Sequence, residues 1–516
     1  MNRFDLVVVG AGASGSVIAG RVTENPDCSV LLLEAGETPR SSSAFPRALL
    51  DAAQVPGARP TRGQHWSYDV QLTSERSYTV HRGKVLGGST TTNGGYFIRA
   101  RLEDFASWSR AGNPAWAYDR VLPFLRRLES DRDFGATEVH GGSGPVPVRR
   151  PSMSGPPAAA FADACAELGH PHEPDKNAQG PAGFGPVPLN IEDGVRWNSG
   201  LAYVMPALAR PNLTVVGECT VHRIRFNGTR AVGLDLSVDG RNSTIEADRI
   251  VLCAGAFESP HLLMRSGVGP ASDLRRLGSP VVCDIPAVGR RFNDHPQIVL
   301  EWTPNRDLSS ETADSWISGC LNFASSNGPI SGDLQILQSN VAMSVLTGHS
   351  SARADTALPL LISVNSPEPT GSLRLVSTDP RVPLDIQYRY LSTPADSLLI
   401  REAVRVAVDL LSTNAFSAVG TGPRDLDRRT VGDDGLLDLW IRERLGTTLH
   451  ACGTAPMGPS GDTDAVVDQF GRVRGTDGLR VADTSILPAA PLRGPAATAV
   501  LIGEVIADSL RGDQAR

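Results

Sequence analysis

The chain has 516 residues, carries a formal net charge of −7, and is 41% hydrophobic and 20% charged. That length exceeds one simple core, and the balance of apolar and charged residues excludes a disordered polymer. The mild acidity and the lack of any Lys/Arg-rich run argue against nucleic acid as a partner. No apolar run reaches the roughly eighteen residues of a membrane span, which leaves only peripheral association open.

Leu6-Val7-Val8-Val9 reads as a buried strand and runs into Gly10-Ala11-Gly12-Ala13-Ser14-Gly15. A second apolar run, Val30-Leu31-Leu32-Leu33, ends on Glu34-Ala35. In this strand–turn–helix–strand pattern Gly10 makes the tight turn, Gly12 lets the backbone approach a pyrophosphate, and Gly15 lets the helix pack close to the sheet. The N-terminus of the helix, at Ala13 and Ser14, offers unpaired N–H groups to phosphates, and Glu34 is placed to accept from a ribose. The segment is therefore expected to bind a dinucleotide. The first strand is expected to begin at about Phe4, which leaves no room for a cleavable leader.

Further along, strands and helices alternate through the first third, as in a doubly wound α/β sheet. Residues 141–157 are rich in Gly and Pro and read as a linker or surface excursion. A helix is predicted over 158–168 and a turn-rich stretch over 180–186. Strands follow at Leu213–Val216, 221–226 and 232–238, and Ile250-Val251-Leu252-Cys253-Ala254 is a buried strand ending in a turn at Gly255. Alternation between about 296 and 390 predicts a largely antiparallel sheet. A helix is expected at Pro394–Leu411, a strand at 479–482, and a last helix over about 495–510. No internal repeat is visible. The seven cysteines, Cys28, Cys165, Cys219, Cys253, Cys283, Cys320 and Cys452, form no CxxC pair. They suggest neither a disulfide framework nor a zinc site; no metal is expected, and the cytoplasm is the expected location.

Four longer motifs are more specific than the glycine turn. They are Gly83-Lys84-Val85-Leu86-Gly87-Gly88-Ser89-Thr90-Thr91-Thr92-Asn93-Gly94-Gly95, then Gly255-Ala256-Phe257-Glu258-Ser259-Pro260-His261 with Arg265-Ser266-Gly267-Val268-Gly269, then Asn293-Asp294-His295-Pro296. The last is His450-Ala451-Cys452-Gly453-Thr454-Ala455-Pro456-Met457-Gly458, leading to Ala482-Asp483-Thr484-Ser485. The 84–93 loop has few large side chains, so its N–H groups can cradle a pyrophosphate or a flavin edge. Asn93 offers both a donor and an acceptor to an amide-like ring.

In this order, from Phe4 to Leu510, the motifs resemble the glucose–methanol–choline (GMC) oxidoreductase family. The resemblance implies an FAD-binding Rossmann-like, doubly wound α/β domain from residues 1–150, 195–295 and 440–516. It also implies an α+β substrate domain on an antiparallel sheet, from 151–194 and 296–439. The expected cofactor residues are Gly10, Gly12, Ala13, Ser14, Gly15, Glu34, Ala35, Lys84, Val85, Gly87, Gly88, Ser89, Asn93, Gly94, Gly95, Ala254 and Gly255. By family likeness Asp483 holds the ribityl chain, the backbone near Val221 meets the adenine, and the last helix, from Pro495-Ala496, points its positive end at the flavin pyrimidine. Thr92 stands where some members carry a flavin-linked histidine, so FAD is expected to be non-covalent.

The activity implied is oxidation of an alcohol CH–OH group, with loss of the hydroxyl proton and hydride transfer to flavin N5. His450 matches the family's His-x-x-Gly-Thr-x-x-Met-Gly histidine and is the expected base or alkoxide stabiliser. His295 is read as a brace at the domain junction and His261 as structural, and His170 and His172 as no metal pair. Most members place a second His or Asn before the last helix; counting back from Gly503-Glu504, that place falls on Gly494. The neighbouring Arg493 then has two readings, a cationic stabiliser in the site or a surface residue beside a histidine acting alone. The string Arg493-Gly494-Pro495 also resembles a mycofactocin-associated subgroup, which implies a large substrate and electrons passed towards respiration. An FAD-containing lyase and a flavin-binding protein without turnover stay open, and the electron acceptor is unspecified. The 5% aromatic content offers no stacking platform for a polysaccharide.

Overall fold

The computed structural model describes residues 3–306, 315–326, 328, 330–347, 356–368 and 371–514. Its centre is a five-stranded parallel sheet in the order Leu213–Val216, Val30–Leu33, Leu6–Val9, Ile250–Leu252, Leu479–Val481. Every residue of Leu6–Val9, Val30–Leu33 and Ile250–Leu252 is buried. Continuous apolar runs, not alternating ones, are what a sheet covered on both faces requires. The helix Ala13–Val22 packs on this sheet and against the last helix, Ala496–Gln514. Ser14 Oγ donates to the Ala499 carbonyl (2.7 Å) and Arg21 pairs with buried Glu504 (2.9 Å), so the two helices run in the same direction and their N-terminal turns share one end.

A second sheet is the antiparallel ladder Cys219–Asn227, Arg230–Val238, Arg241–Ala247, with Arg3–Phe4 added in parallel at its edge. The expected first strand is therefore two pieces in different sheets, divided after Phe4. The third sheet is antiparallel and draws on residues far apart in the chain. Its order is Gly420–Pro423, Pro296–Pro304, Leu358–Val364, Leu334–Ser339, Ile317–Phe323, Phe184–Pro186. The helix Pro394–Leu411 covers it with Ile400, Ala403, Val404, Ala407 and Leu410, all buried. The Thr393 side chain caps that helix by accepting from the Asp396 N–H, so the helix starts where the sequence places it. Residues 141–157 are not a free linker: Val146–Val148 is buried and pairs with Glu129–Asp131. Among the described residues no helix is long and apolar enough to cross a membrane.

Candidate active site

Two glycine loops meet at the carboxyl ends of the parallel strands. The Gly87 N–H donates to the Ala11 carbonyl (2.8 Å), and a Cβ on Gly88 would stand 2.7 Å from Gly12 Cα. Gly12 itself is different. A Cβ there would come no closer than 3.8 Å to any other protein atom, so no contact within the chain demands its glycine. The bare face fits an approaching phosphate, and Gly12 caps the helix Ala13–Val22 without a side-chain hydrogen bond, leaving the N–H groups of the first turn free.

The expected cofactor residues gather around this cradle. Glu34 Oε2 accepts from the Ala11 N–H (2.9 Å) and Oε1 from the Gly36 N–H (3.0 Å). Burial pushes this carboxyl up to about 7 against the pull of those N–H groups. The Cys219 N–H donates to the Glu34 carbonyl (2.8 Å), which brings half-buried Val221 to the same end. Asp483 ties the Ala254–Gly255 turn to the last parallel strand, accepting from the Gly255 N–H (2.9 Å), Ser259 Oγ (2.5 Å) and the Ser485 N–H (2.9 Å). Asn93 Oδ1 already accepts from the Gly95 N–H (2.9 Å), so its amide NH₂ is the part left to offer, a narrower role than donor and acceptor together. The Lys84 ammonium stands 4.8 Å over the Trp66 ring, and Ser89 Oγ accepts from the Gly83 N–H (3.2 Å). In the first turn of the last helix, Thr498 Oγ1 is buried without a partner, a polar group that FAD can satisfy. The open Gly12 face, the uncapped N-terminus and the orphaned Thr498 hydroxyl together fit the cofactor.

His450 lies beside the exit of the 83–95 loop. Asn293 and Cys452 exchange both backbone hydrogen bonds (3.1 and 3.0 Å), which joins the Asn293–Pro296 motif to the His450 motif. Asp294 Oδ1 then accepts from the backbone N–H of both His295 and His450, at 2.7 Å each. The two imidazoles meet as a result: Nδ1 to Nδ1 is 3.0 Å, with the rings edge to face at 82°. Burial lowers His295 to about 4, the Pro491 carbonyl acting the other way. It lowers His450 well below the ordinary histidine value, and the nearby His295 and Arg82 act in the same direction. His295 is therefore a direct neighbour of the expected base.

On its other edge His450 faces Gly494. A Cβ there would stand 3.4 Å from His450 Cε1 and Nε2 and 3.4 Å from Tyr96 Cδ1, so the glycine counted as the second position lies beside the expected base. The Tyr96 hydroxyl donates to Gln335 Oε1 (3.2 Å). Arg493 is fully buried, which overturns its reading as a surface residue. Its Nη2 pairs with Glu173 (3.0 Å) and its Nη1 donates to the Lys176 carbonyl (2.9 Å), and no hydrogen bond joins it to His450. The same segment is held by Asn293 Oδ1 on the Ala490 N–H (2.9 Å), by Asp104 on the Leu492 N–H (3.0 Å) and by Asn365 on the Leu492 carbonyl (2.8 Å). Arg493 is one of four anchors that set Gly494 against His450. His170 and His172 rest on Phe323 and Phe184 respectively. Tyr96, Asp294 and Arg82 are neighbours of the site that sequence reasoning missed, since no spacing links them to residue 450.

Comparison with known proteins identifies the family. The family model described as GMC oxidoreductase matches residues 4–297 in its N-terminal part and 367–503 in its C-terminal part. The chain is 39% identical over 512 residues to an uncharacterized GMC-type oxidoreductase in the thcA 5' region of Rhodococcus erythropolis, covering 99% of each. It is 34% identical to the oxygen-dependent choline dehydrogenase of Ectopseudomonas mendocina, over 99% of this chain and 95% of that one. The crystal structure of pyridoxine 4-oxidase from Mesorbium loti superposes with a TM-score of 0.90 at 28% identity, covering 99% of both chains. The chain belongs to the GMC oxidoreductase family and is an FAD-dependent alcohol oxidoreductase.

Proposed function

We propose that this protein oxidises the CH–OH group of an alcohol, with His450 Nε2 taking the hydroxyl proton. The observation that carries the reading is the convergence of His450, Gly494 and Tyr96 at the end of the 83–95 loop. His450 Nε2 makes no hydrogen bond among the described residues and faces that convergence. Burial keeps the ring neutral and so able to accept a proton.

When bound, FAD supplies the two-electron acceptor for the hydrogen on carbon. Gly12 and the first turn after it hold the pyrophosphate, Glu34 and the strand carrying Val221 the adenosine, and Asp483 the ribityl chain. The Asn93 amide, Gly94, Gly95 and the turn from Ala496 to Thr498 hold the flavin ring. Gly494 has no side chain, so His450 works without the usual second group from that position, and Arg493 serves by holding the segment in place. Thr92, buried at the end of the turn Ser89–Thr92, has no ring nitrogen to bond to the flavin, so the cofactor is non-covalent. The parallel and antiparallel sheets support a cofactor domain and a substrate domain divided as the sequence suggests. The relatives named for choline and pyridoxine point to a hydroxyl-bearing substrate here too.

The test is anaerobic mixing of the purified yellow holoprotein with alcohols of increasing size. Loss of the flavin absorbance with any of them supports the reading; a lyase would turn over its substrate with the flavin still oxidised. After unfolding and ultrafiltration the colour should pass the membrane, and colour kept with the polypeptide would contradict the non-covalent assignment.

A further inference from the structure

The contact between His295 and His450 raises a question that the pair's existence does not answer: where the shared proton sits. A hydrogen bond between two neutral imidazoles needs one N–H and one bare nitrogen, and either ring can supply either. The nitrogen on the far side of His450 decides. His450 Nε2 makes no hydrogen bond among the described residues and faces Gly494 and Tyr96, so as the base of the proposed reaction it is the nitrogen that has to be bare. His450 Nδ1 must then carry the proton of the 3.0 Å bond, and His295 Nδ1 is its bare acceptor.

We propose that His295 is a positioning residue that fixes His450 as its Nδ1–H tautomer, leaving Nε2 bare towards the reacting alcohol. The proposal rests on His450 being the base. The other groups around the pair do not compete for the ring nitrogens. Arg82 donates to the Leu449 carbonyl (2.7 Å). The Asp294 carboxylate is taken up by the backbone N–H groups of both histidines, by Thr448 Oγ1 (3.3 Å) and by the Tyr388 hydroxyl (3.4 Å). The Tyr96 hydroxyl is engaged with Gln335. When the alcohol O–H bond breaks, the proton forms an N–H bond at His450 Nε2. The resulting imidazolium keeps its Nδ1–H on His295, so it is met by an acceptor already in place.

The experiment uses ¹⁵N-histidine-labelled holoenzyme and long-range ¹H–¹⁵N correlation spectra, with the His450 signals identified by their loss in His450→Gln. The expected spectrum shows His450 Nε2 unprotonated and Nδ1 protonated. In His295→Gln the side-chain amide oxygen can still accept from Nδ1–H, so the tautomer and the rate of alcohol-driven flavin reduction should persist. In His295→Phe the proton should redistribute onto Nε2, and kcat should fall at least about tenfold with KM little changed. That loss is a share of the roughly 10²–10⁴ that a positioned base contributes. A wild-type His450 protonated on Nε2 overturns the proposal, as does a His295→Phe enzyme with unaltered tautomer and kcat. A purely structural His295 would lower melting temperature and FAD content without moving the tautomer. If His450→Ala still supported full flavin reduction, the base assignment itself would fall, a result separate from anything the spectra show.

Discussion

Two buried histidine sites in this molecule have opposite fates. His140 sits among three carboxylates, Glu129 (2.7 Å) and Asp131 (3.0 Å) on Nδ1 and Asp175 (2.8 Å) on Nε2. Burial pushes its pKa down, but the hydrogen bonds to those acids outweigh it and raise the group to about 10. Arg99 on Glu129 (2.6 Å) and Arg150 on Asp175 (2.8 Å) complete the charge balance. Glu129, Asp131 and His140 stand close enough together to hold a metal ion. The two arginines and the imidazolium already supply the positive charge there. At His450 no carboxylate among the described residues makes a hydrogen bond or ion pair with the ring, and burial runs unopposed. Burial alone therefore does not decide what an imidazole does. Counter-ions turn one into a permanent cation inside a strut, and their absence leaves the other a neutral base.

The contrast can be broken most sharply at residue 450. His450→Ala should lower the rate of alcohol-driven flavin reduction by about 10²–10⁴, as loss of a positioned base does, with melting temperature and FAD content retained. Stopped-flow absorbance and thermal melts check both halves. The corresponding change in the strut, His140→Phe, should do the reverse. It strands three carboxylates against two arginines and should cost about 3–5 kcal/mol of stability, with the rate per bound flavin unchanged.

Titration sharpens the same comparison. A folded-state pKa raised to about 10 stabilises fully below pH 6.5 and is lost as pH rises through 10. A folded-state pKa lowered to about 4, as at His295, stabilises above pH 6.5 and is lost as pH falls through 4. Thermal melts across this range should therefore show the alkaline loss reduced in His140→Phe and the acid loss reduced in His295→Phe. For the same reason the acid limb of kcat/KM should lie below pH 6.5, because His450 remains neutral there. The smallest effect is expected from Gly494→Ala. Its Cβ would make ordinary contacts at 3.4 Å, so kcat/KM should change by no more than about twofold, within the roughly 0.5 kcal/mol of a tolerated substitution.

Much of the fold was readable in the chain because period and punctuation agree. Uninterrupted apolar runs mark the parallel strands, and Thr393-Pro394 fixes the start of the long helix. The stretch 141–157 misled because its Gly and Pro content hides Val146 and Val148, whose burial depends on a partner strand at Glu129–Asp131. In the site, His450 and the blank at Gly494 were legible as motif positions. The environment of Arg493 was not, because Glu173 lies 320 residues away in sequence. Nor was the meeting of His295 with His450, which depends on one backbone bridge between Asn293 and Cys452. Local chemistry shows in sequence; the partners of a buried charge are chosen by the tertiary fold.

The cradle is closed by segments 485 residues apart: the Ser14 hydroxyl is fastened to the carbonyl of Ala499, and the last strand of the parallel sheet is Leu479–Val481. During folding the glycine turn must meet a segment 485 residues further along before its binding surface is complete. Flavin binding is thus a property of the assembled tertiary fold and not of the glycine turn alone.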